Sequence, residues 1–233
     1  PLFDAVSGEP LALLDGVTMN PYKTGAVGAV GVDALAREDA SVLGVIGSGR
    51  QARGQVRATL TVRDFEAVEV YSPTREHRES FAAEMDELAD AQVRAVPTST
   101  DAVADADVVV TATKASDPVF DGDDLPDGAH VTAVGQYTPS TRELDATTVA
   151  RSKYVPDLRD RAFQDAGSYL DAVEAGEVPE NHVHGGLGDV VSGRIPGRES
   201  PEEVTVFDSG GTAIETVAAA YHLYEKATER GRG

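Results

Sequence analysis

An α/β fold built on a doubly wound parallel sheet is the class this sequence predicts, and three observations predict it. Ser41 to Ile46 is a short continuous apolar run, the pattern of a strand buried on both faces. A glycine-rich turn follows it directly and opens a helix. Beyond that turn, β-rich runs alternate with helical ones, which gives right-handed βαβ units with helices on both sheet faces. The 233 residues, 41% of them hydrophobic, suffice for one large domain or two small ones.

The elements follow in order. Leu2 to Leu14 holds two apolar runs around Ser7-Gly8-Glu9-Pro10 and reads as a hairpin. From Thr24 to Arg37, Gly25, Gly28 and Gly31 recur at helical spacing, predicting a helix whose glycine stripe admits a close neighbour. After the strand at 41–46, Ala67 to Tyr71 is a second strand. Arg75 to Ala89 is a helix with Phe81, Met85 and Leu88 on one face. Val93 to Val96 is a third strand, followed by a short helix near Asp101, and Asp107 to Thr111 is a fourth strand. Lys114 to Gly128, rich in Asp, Gly and Pro, reads as loop. His130 to Val134 is a fifth strand and Tyr154-Val155 marks a sixth. Helical pattern at Ala162 to Ala175 and Leu187 to Ser192 precedes a strand at Val204 to Phe207 and a long helix from Thr212 to about Thr228.

Composition narrows the partners. Asp and Glu number 40 against 20 Lys and Arg, a formal charge of −20. Such a surface repels phosphate backbones and anionic lipid heads, so neither nucleic acid nor membrane is an expected partner. No apolar run approaches the ~18 residues that span a bilayer. Absence of cysteine excludes disulfides, thiolate metal sites and a cysteine nucleophile. Lysine is confined to Lys23, Lys114, Lys153 and Lys226, and acids are spread along the whole chain. That balance reads as a cytoplasmic surface suited to very high salt, where screening removes self-repulsion.

The sharpest motif is Gly47-Ser48-Gly49-Arg50-Gln51-Ala52, a G-x-G-x-x-A between a buried strand and a helix. Gly47 permits the tight turn, Gly49 lets backbone amides reach a pyrophosphate, and Ala52 lets helix and strand pack closely. The phosphates sit on the helix N-terminus, where amide donors favour negative charge. At the second strand's tip an acid would accept from the adenine ribose, but the chain reads Val70-Tyr71-Ser72-Pro73-Thr74-Arg75. Ser72, Thr74 and Arg75 suit a 2′-phosphate, which inclines the choice between NAD and NADP toward NADP. The competing reading puts Arg75 at a helix start, facing solvent. Asp208, after Val204 to Phe207, suits a general acid/base facing the nicotinamide; on spacing alone a helix N-cap is the favoured reading. His182 and His184 lack a third ligand at recognisable spacing, so no metal site is expected. Asp121, Asp123 and Asp124 lack a calcium-loop spacing, and no serine sits in a hydrolase elbow.

Taken together, Gly47 to Ala52, Val110-Thr-Ala-Thr113, His130-Val-Thr-Ala-Val-Gly135, Arg142-Glu-Leu-Asp145, Gly188-Asp-Val-Val-Ser-Gly193 and Phe207-Asp-Ser209 resemble the ornithine cyclodeaminase/mu-crystallin family, its archaeal alanine dehydrogenase branch in particular. The opening Leu2-Phe3-Asp4 and Gly8 to Gly16 match as well. The family binds a nicotinamide dinucleotide and acts on amino acids or cyclic imines. The resemblance therefore implies an amino-acid dehydrogenase or imine reductase, with ornithine cyclodeaminase or a non-catalytic NADP-binding relative as alternatives. It implies that Asp208 handles protons or water beside the substrate α-carbon. Thr111, Ala112 and Thr113 match the cofactor-side end of the fourth strand, and Ala133, Val134 and Gly135 the fifth strand's tip near the nicotinamide. Lys23-Thr24 stands where the family has Arg-Thr, so Lys23 keeps the charge that grips the substrate carboxylate but loses the bidentate fork. Asp208-Ser209-Gly210-Gly211 replaces Asp-Ser-Thr-Gly, and Gln136-Tyr137 replaces a more polar pair. Family members build much of a substrate and dimerisation domain before the point matching Pro1, including a substrate-contacting lysine. The expected organisation is thus a partial substrate/dimerisation domain at 1–40, a dinucleotide domain at 41–207 and a helix at 208–233 returning to the first, in a homodimer. Without those earlier segments, the apolar hairpin and the glycine stripe are expected to drive self-association.

Overall fold

The computed structural model describes residues 1–231. Seven parallel strands form the main sheet: β3 (Val42–Ile46), β4 (Ala67–Tyr71), β5 (Gln92–Ala95), β6 (Val108–Thr111), β7 (His130–Ala133), β8 (Ser152–Pro156) and β9 (Val204–Asp208). Their order is β5-β4-β3-β6-β7-β9-β8, so the chain winds outward from β3 in both directions. Ile46 aligns with Tyr71 and Thr111, Thr111 with Ala133, and Ala133 with Asp208, while Pro156 aligns with Asp208. All the strand carboxyl ends therefore meet along one edge, where doubly wound sheets bind ligands.

Alternation along each strand builds a core on both faces. Val109, Val131 and Val206 bury on one side with Tyr154 and Tyr169. Leu43, Val45, Val108 and Val110 bury on the other with Phe81 and Met85. Six helices cover these faces and the sheet's ends: α2 (Arg50–Thr59), α3 (Arg75–Asp86), α4 (Ser99–Val103), α6 (Arg159–Asp165), α7 (Gly167–Glu174) and α8 (Leu187–Val191). A short α5 (Ala146–Arg151), capped by the Asp145 carboxylate, lies in a stretch with no six-residue periodicity to reveal it. The loop at 114–128 holds one 3₁₀ turn at Gly122–Asp124, whose first amides are taken by Asp121 and Asp145.

The sequence places the first helix too late. α1 runs Gly16–Leu35 through Pro21, with Asp15 as its N-cap. Proline in a helix removes a hydrogen bond, yet tertiary packing holds this one, because the Pro21 carbonyl lies against Gly54 of α2. The glycine stripe has its neighbour within the chain: a Cβ at Gly25 would run into the Gly54 carbonyl, and one at Gly31 would stand 2.6 Å from the Phe207 ring. The stripe therefore docks α1 on α2 and β9 and leaves nothing for a second copy to fill. β1 (Leu2–Phe3) and β2 (Pro10–Ala12) pair antiparallel as a separate two-stranded sheet. α9 (Ala213–Glu229) buries only Ala220 and leaves Ile214, Val217, Tyr221 and Leu223 exposed. Residues 232 and 233 of the expected closing segment lie outside the described residues.

Candidate active site

The glycine turn has the form its sequence requires. Gly47 takes φ +117°, and a Cβ there would stand 2.5 Å from the Ala112 carbonyl oxygen, so only glycine fits. Gly49 caps α2 without a side-chain bond, leaving that helix's first amides free, and a Cβ on Gly49 would meet nothing within 4 Å. Open space before unpaired amides is what a pyrophosphate needs. Ala52 is fully buried. Arg50 is exposed, and Gln51 accepts a short hydrogen bond from Thr24 Oγ1 of α1. Arg53 locks the turn by donating to the Ser48 carbonyl at 2.6 Å and to Glu84 at 2.7 Å.

Beside it lies the β4 tip. Ser48 Oγ donates to Ser72 Oγ at 3.0 Å, and Ser72 is buried. Thr74 and Arg75 are exposed, and Arg75 pairs with Glu79 one helical turn on. Arg78 stacks on Tyr71 and donates to the Ser72 carbonyl at 2.8 Å. The tip itself, Tyr71 to Arg75, contains no Asp or Glu.

At the β6 and β7 tips one residue organises the loops, and sequence reasoning missed it. Glu143 accepts from Thr113 N at 2.6 Å, Gly135 N at 2.7 Å and Thr111 Oγ1 at 3.0 Å. It is buried, and burial pushes its carboxyl up against those three hydrogen bonds. Thr111, Ala112, Thr113, Val134 and Gly135 are thereby held together at one edge. The only signal in the sequence is the Arg142-Glu-Leu-Asp145 block itself, which assigns no role to its glutamate.

Asp208 closes β9. It is not a helix cap: the N-cap of α9 is Thr212, four residues later, which forms a capping box with Glu215. Instead Asp208 is buried and its Oδ2 accepts a short hydrogen bond from the Tyr154 hydroxyl. Burial pushes the Asp208 carboxyl up to about 7; Tyr154 pulls it down, while Asp157 and Glu143 add to the rise. Asp157, just past the end of β8, was also missed, although a carboxylate after a parallel strand is the pattern that singled out Asp208. Its Oδ2 accepts from Gly211 N at 2.6 Å, its Oδ1 is buried without a partner, and burial with Glu215 nearby pushes it to about 6. A cleft opens here, lined by Gln136, Tyr137, Asp157, Arg161, Asp208 and Gly210.

Lys23 reaches the same end of the sheet, but it is half of an ion pair. Its Nζ lies 3.2 Å from Glu215 Oε2, nearly buried and beside Gly211. The missing side chain at Gly210 leaves room for Arg161, whose Nη2 would stand 3.2 Å from a Cβ there. His182 and His184 each donate from Nε2 to separate backbone carbonyls, those of Val149 and Pro196. His130 is buried between Thr132 and Thr205, and burial drives its pKa down to about 3.

The model of the ornithine cyclodeaminase/mu-crystallin family matches residues 1–231. A Delta(1)-pyrroline-2-carboxylate reductase of Bacillus cereus is 39% identical over all 233 residues, which span 71% of that relative. Among solved structures, the Thermococcus litoralis Delta(1)-pyrroline-2-carboxylate reductase in complex with NADH and L-proline superposes with TM-score 0.95 at 36% identity, covering 98% of this chain and 71% of that one. An archaeal alanine dehydrogenase dimer with bound NAD superposes with TM-score 0.92 at 33% identity, covering 99% and 71%.

Proposed function

Since the chain belongs to the ornithine cyclodeaminase/mu-crystallin family, we propose that it is a nicotinamide-dependent oxidoreductase that reduces a small cyclic α-imino acid of the Δ1-pyrroline-2-carboxylate class. The observation that carries the reading is the buried carboxyl of Asp208 at the carboxyl edge of the sheet, with a proton affinity near neutrality. A general acid works best when its pKa lies near the operating pH. When bound, the reduced nicotinamide supplies the hydride that goes to the imine carbon. Asp208 supplies the proton: its O–H bond breaks, an N–H bond forms at the imine nitrogen, and the carboxylate is reprotonated from solvent.

The turn at Gly47, Ser48, Gly49, Arg50, Gln51 and Ala52 holds the pyrophosphate, and Ser72, Thr74 and Arg75 face the adenine ribose. Thr111, Ala112, Thr113, Val134 and Gly135, braced by Glu143, hold the nicotinamide end. Lys23, with its partner Glu215, is the cation for the substrate carboxylate. The alanine dehydrogenase reading uses the same groups, with Asp208 activating water against the imine. Ornithine cyclodeaminase has less support, because the relatives above are reductases and a dehydrogenase. As the working assembly we propose a homodimer, for which the support is the apolar groove between Leu11–Leu14 of the hairpin and α9.

The deciding experiment follows NADH and NADPH oxidation with Δ1-pyrroline-2-carboxylate, then NAD(P)H release with alanine and proline formation from ornithine. Pyrroline reduction is expected. Asp208→Asn should lose at least ~100-fold in kcat while binding cofactor normally. Near-normal kcat in that variant would refute the assignment.

A further inference from the structure

Asp208 is held by a residue that no motif marks. Its Oδ2 is occupied by the Tyr154 hydroxyl. Its Oδ1 takes no hydrogen bond from any described residue and is not among the buried orphaned atoms, so it is the oxygen open to the cleft. Tyr154 itself has no freedom. It is fully buried in β8, one strand over from Asp208, and stacks on Tyr169 at 5.5 Å with 29° between the rings. Tyr169 is fixed in turn by Phe163, edge-on at 5.7 Å, and by its hydroxyl's bond to the Glu180 carbonyl.

We propose that Tyr154 is the positioning residue of this site: its phenol reserves Oδ2, so the proton exchanged with substrate is carried on Oδ1. The inference rests on the reading of Asp208 as the acid. A phenol whose own ionisation is pushed far up, by burial and then by the Asp208 charge, stays a neutral donor throughout the working range. Its hydrogen bond favours the carboxylate and offsets part of the burial that favours the acid. The charged and titratable groups facing Asp208 are Tyr154 of β8, Asp157 after it and Glu143 from the loop after β7. Beyond Asp157 stand Glu215 of α9, paired with Lys23 of α1, and Arg161 of α6. Tyr154 and Asp157 therefore push the same proton in opposite directions.

That opposition is the test. In protein labelled with ¹³C at aspartate side chains, the Asp208 carboxyl is identified as the signal lost in Asp208→Asn, and its titration is followed by NMR. Tyr154→Phe should move the midpoint up and Asp157→Asn should move it down, each by about one unit, a tenfold change in proton affinity. Should Tyr154→Phe fail to fold, 3-fluorotyrosine replaces all seven tyrosines. Its more acidic phenol is a stronger donor, and the midpoint should fall. In turnover, the basic limb of kcat/KM should follow the same displacements, which a merely structural tyrosine would not produce. An Asp208 midpoint unmoved by Tyr154→Phe, or by the fluorotyrosine when that variant is unfolded, overturns the proposal even if Asp208→Asn is inactive. Normal turnover by Asp208→Asn would instead overturn the reading of Asp208 as the acid.

Discussion

In the proposed function Gly49 is the residue on which cofactor binding turns, and the open space around it separates that proposed role from folding. Because a Cβ there meets nothing within 4 Å, Gly49→Val should keep the fold and its melting temperature. The same branched side chain would occupy the space before the α2 amides, so calorimetric titration should find no NADH or NADPH binding. Retained tight binding would show that the phosphates lie elsewhere. Arg75 poses a finer question. Its guanidinium is exposed and, among the described residues, paired only with Glu79, a solvent-screened surface contact, so a 2′-phosphate can draw it away at little cost. NADPH should then serve at least as well as NADH, and Arg75→Ala should weaken NADPH alone. Equal losses for both would return Arg75 to the solvent-facing reading. Sequence and structure diverge most at this scale. Gly47, Gly49 and Ala52 announce themselves because glycine and alanine have few reasons to recur at that spacing. Glu143, Tyr154 and Asp157 do not, since a buried carboxylate or phenol is written with the same letter as an exposed one.

Among the elements, α1 and α2 form the contact most sensitive to a single methyl group. Gly25 and Gly54 bring the helices to backbone contact, and a Cβ on Gly54 would stand 2.7 Å from the Pro21 carbonyl carbon. Gly54→Ala gains helix propensity but must separate the helices, and overpacking of this kind costs about 1–3 kcal/mol. Urea denaturation should show that loss. Gly188→Ala in α8, where nothing lies within 4 Å, should be neutral or slightly stabilising. Equal midpoints for the two variants would mean that α1 is not packed as described. The same contact explains why the helix begins at Gly16 rather than near Thr24. Local propensity argues against a helix through Pro21, and only the face of α2 overrides it. By contrast, the apolar runs that became β3 and β6 were legible, because a strand covered on both faces is near-continuously apolar.

For the whole molecule, a charge of −20 and an uncovered apolar groove act in opposite directions. Charge holds copies apart at low ionic strength, and salt shortens its reach to about 10 Å at 0.1 M. Kosmotropic salt also strengthens burial of apolar surface. The chain should therefore unfold at higher temperature as salt is raised. It should associate through the groove between the hairpin and α9, where Leu13 and Leu223 are exposed. Light scattering with Leu13→Glu and Leu223→Glu checks this, and association undiminished by both changes would place the interface elsewhere. By itself the sequence determined the doubly wound class, the strands, the glycine turn and the family, since each depends on periodicity or on residues adjacent in the chain. Only the tertiary structure decided that Asp208 is no helix cap, that Lys23 is paired with Glu215, and that the glycine stripe is filled from within. Each of those depends on which distant segments meet at the carboxyl edge of the sheet. Crossover connections bring Tyr154 beside Asp208 across 54 residues, and no local pattern records such a meeting.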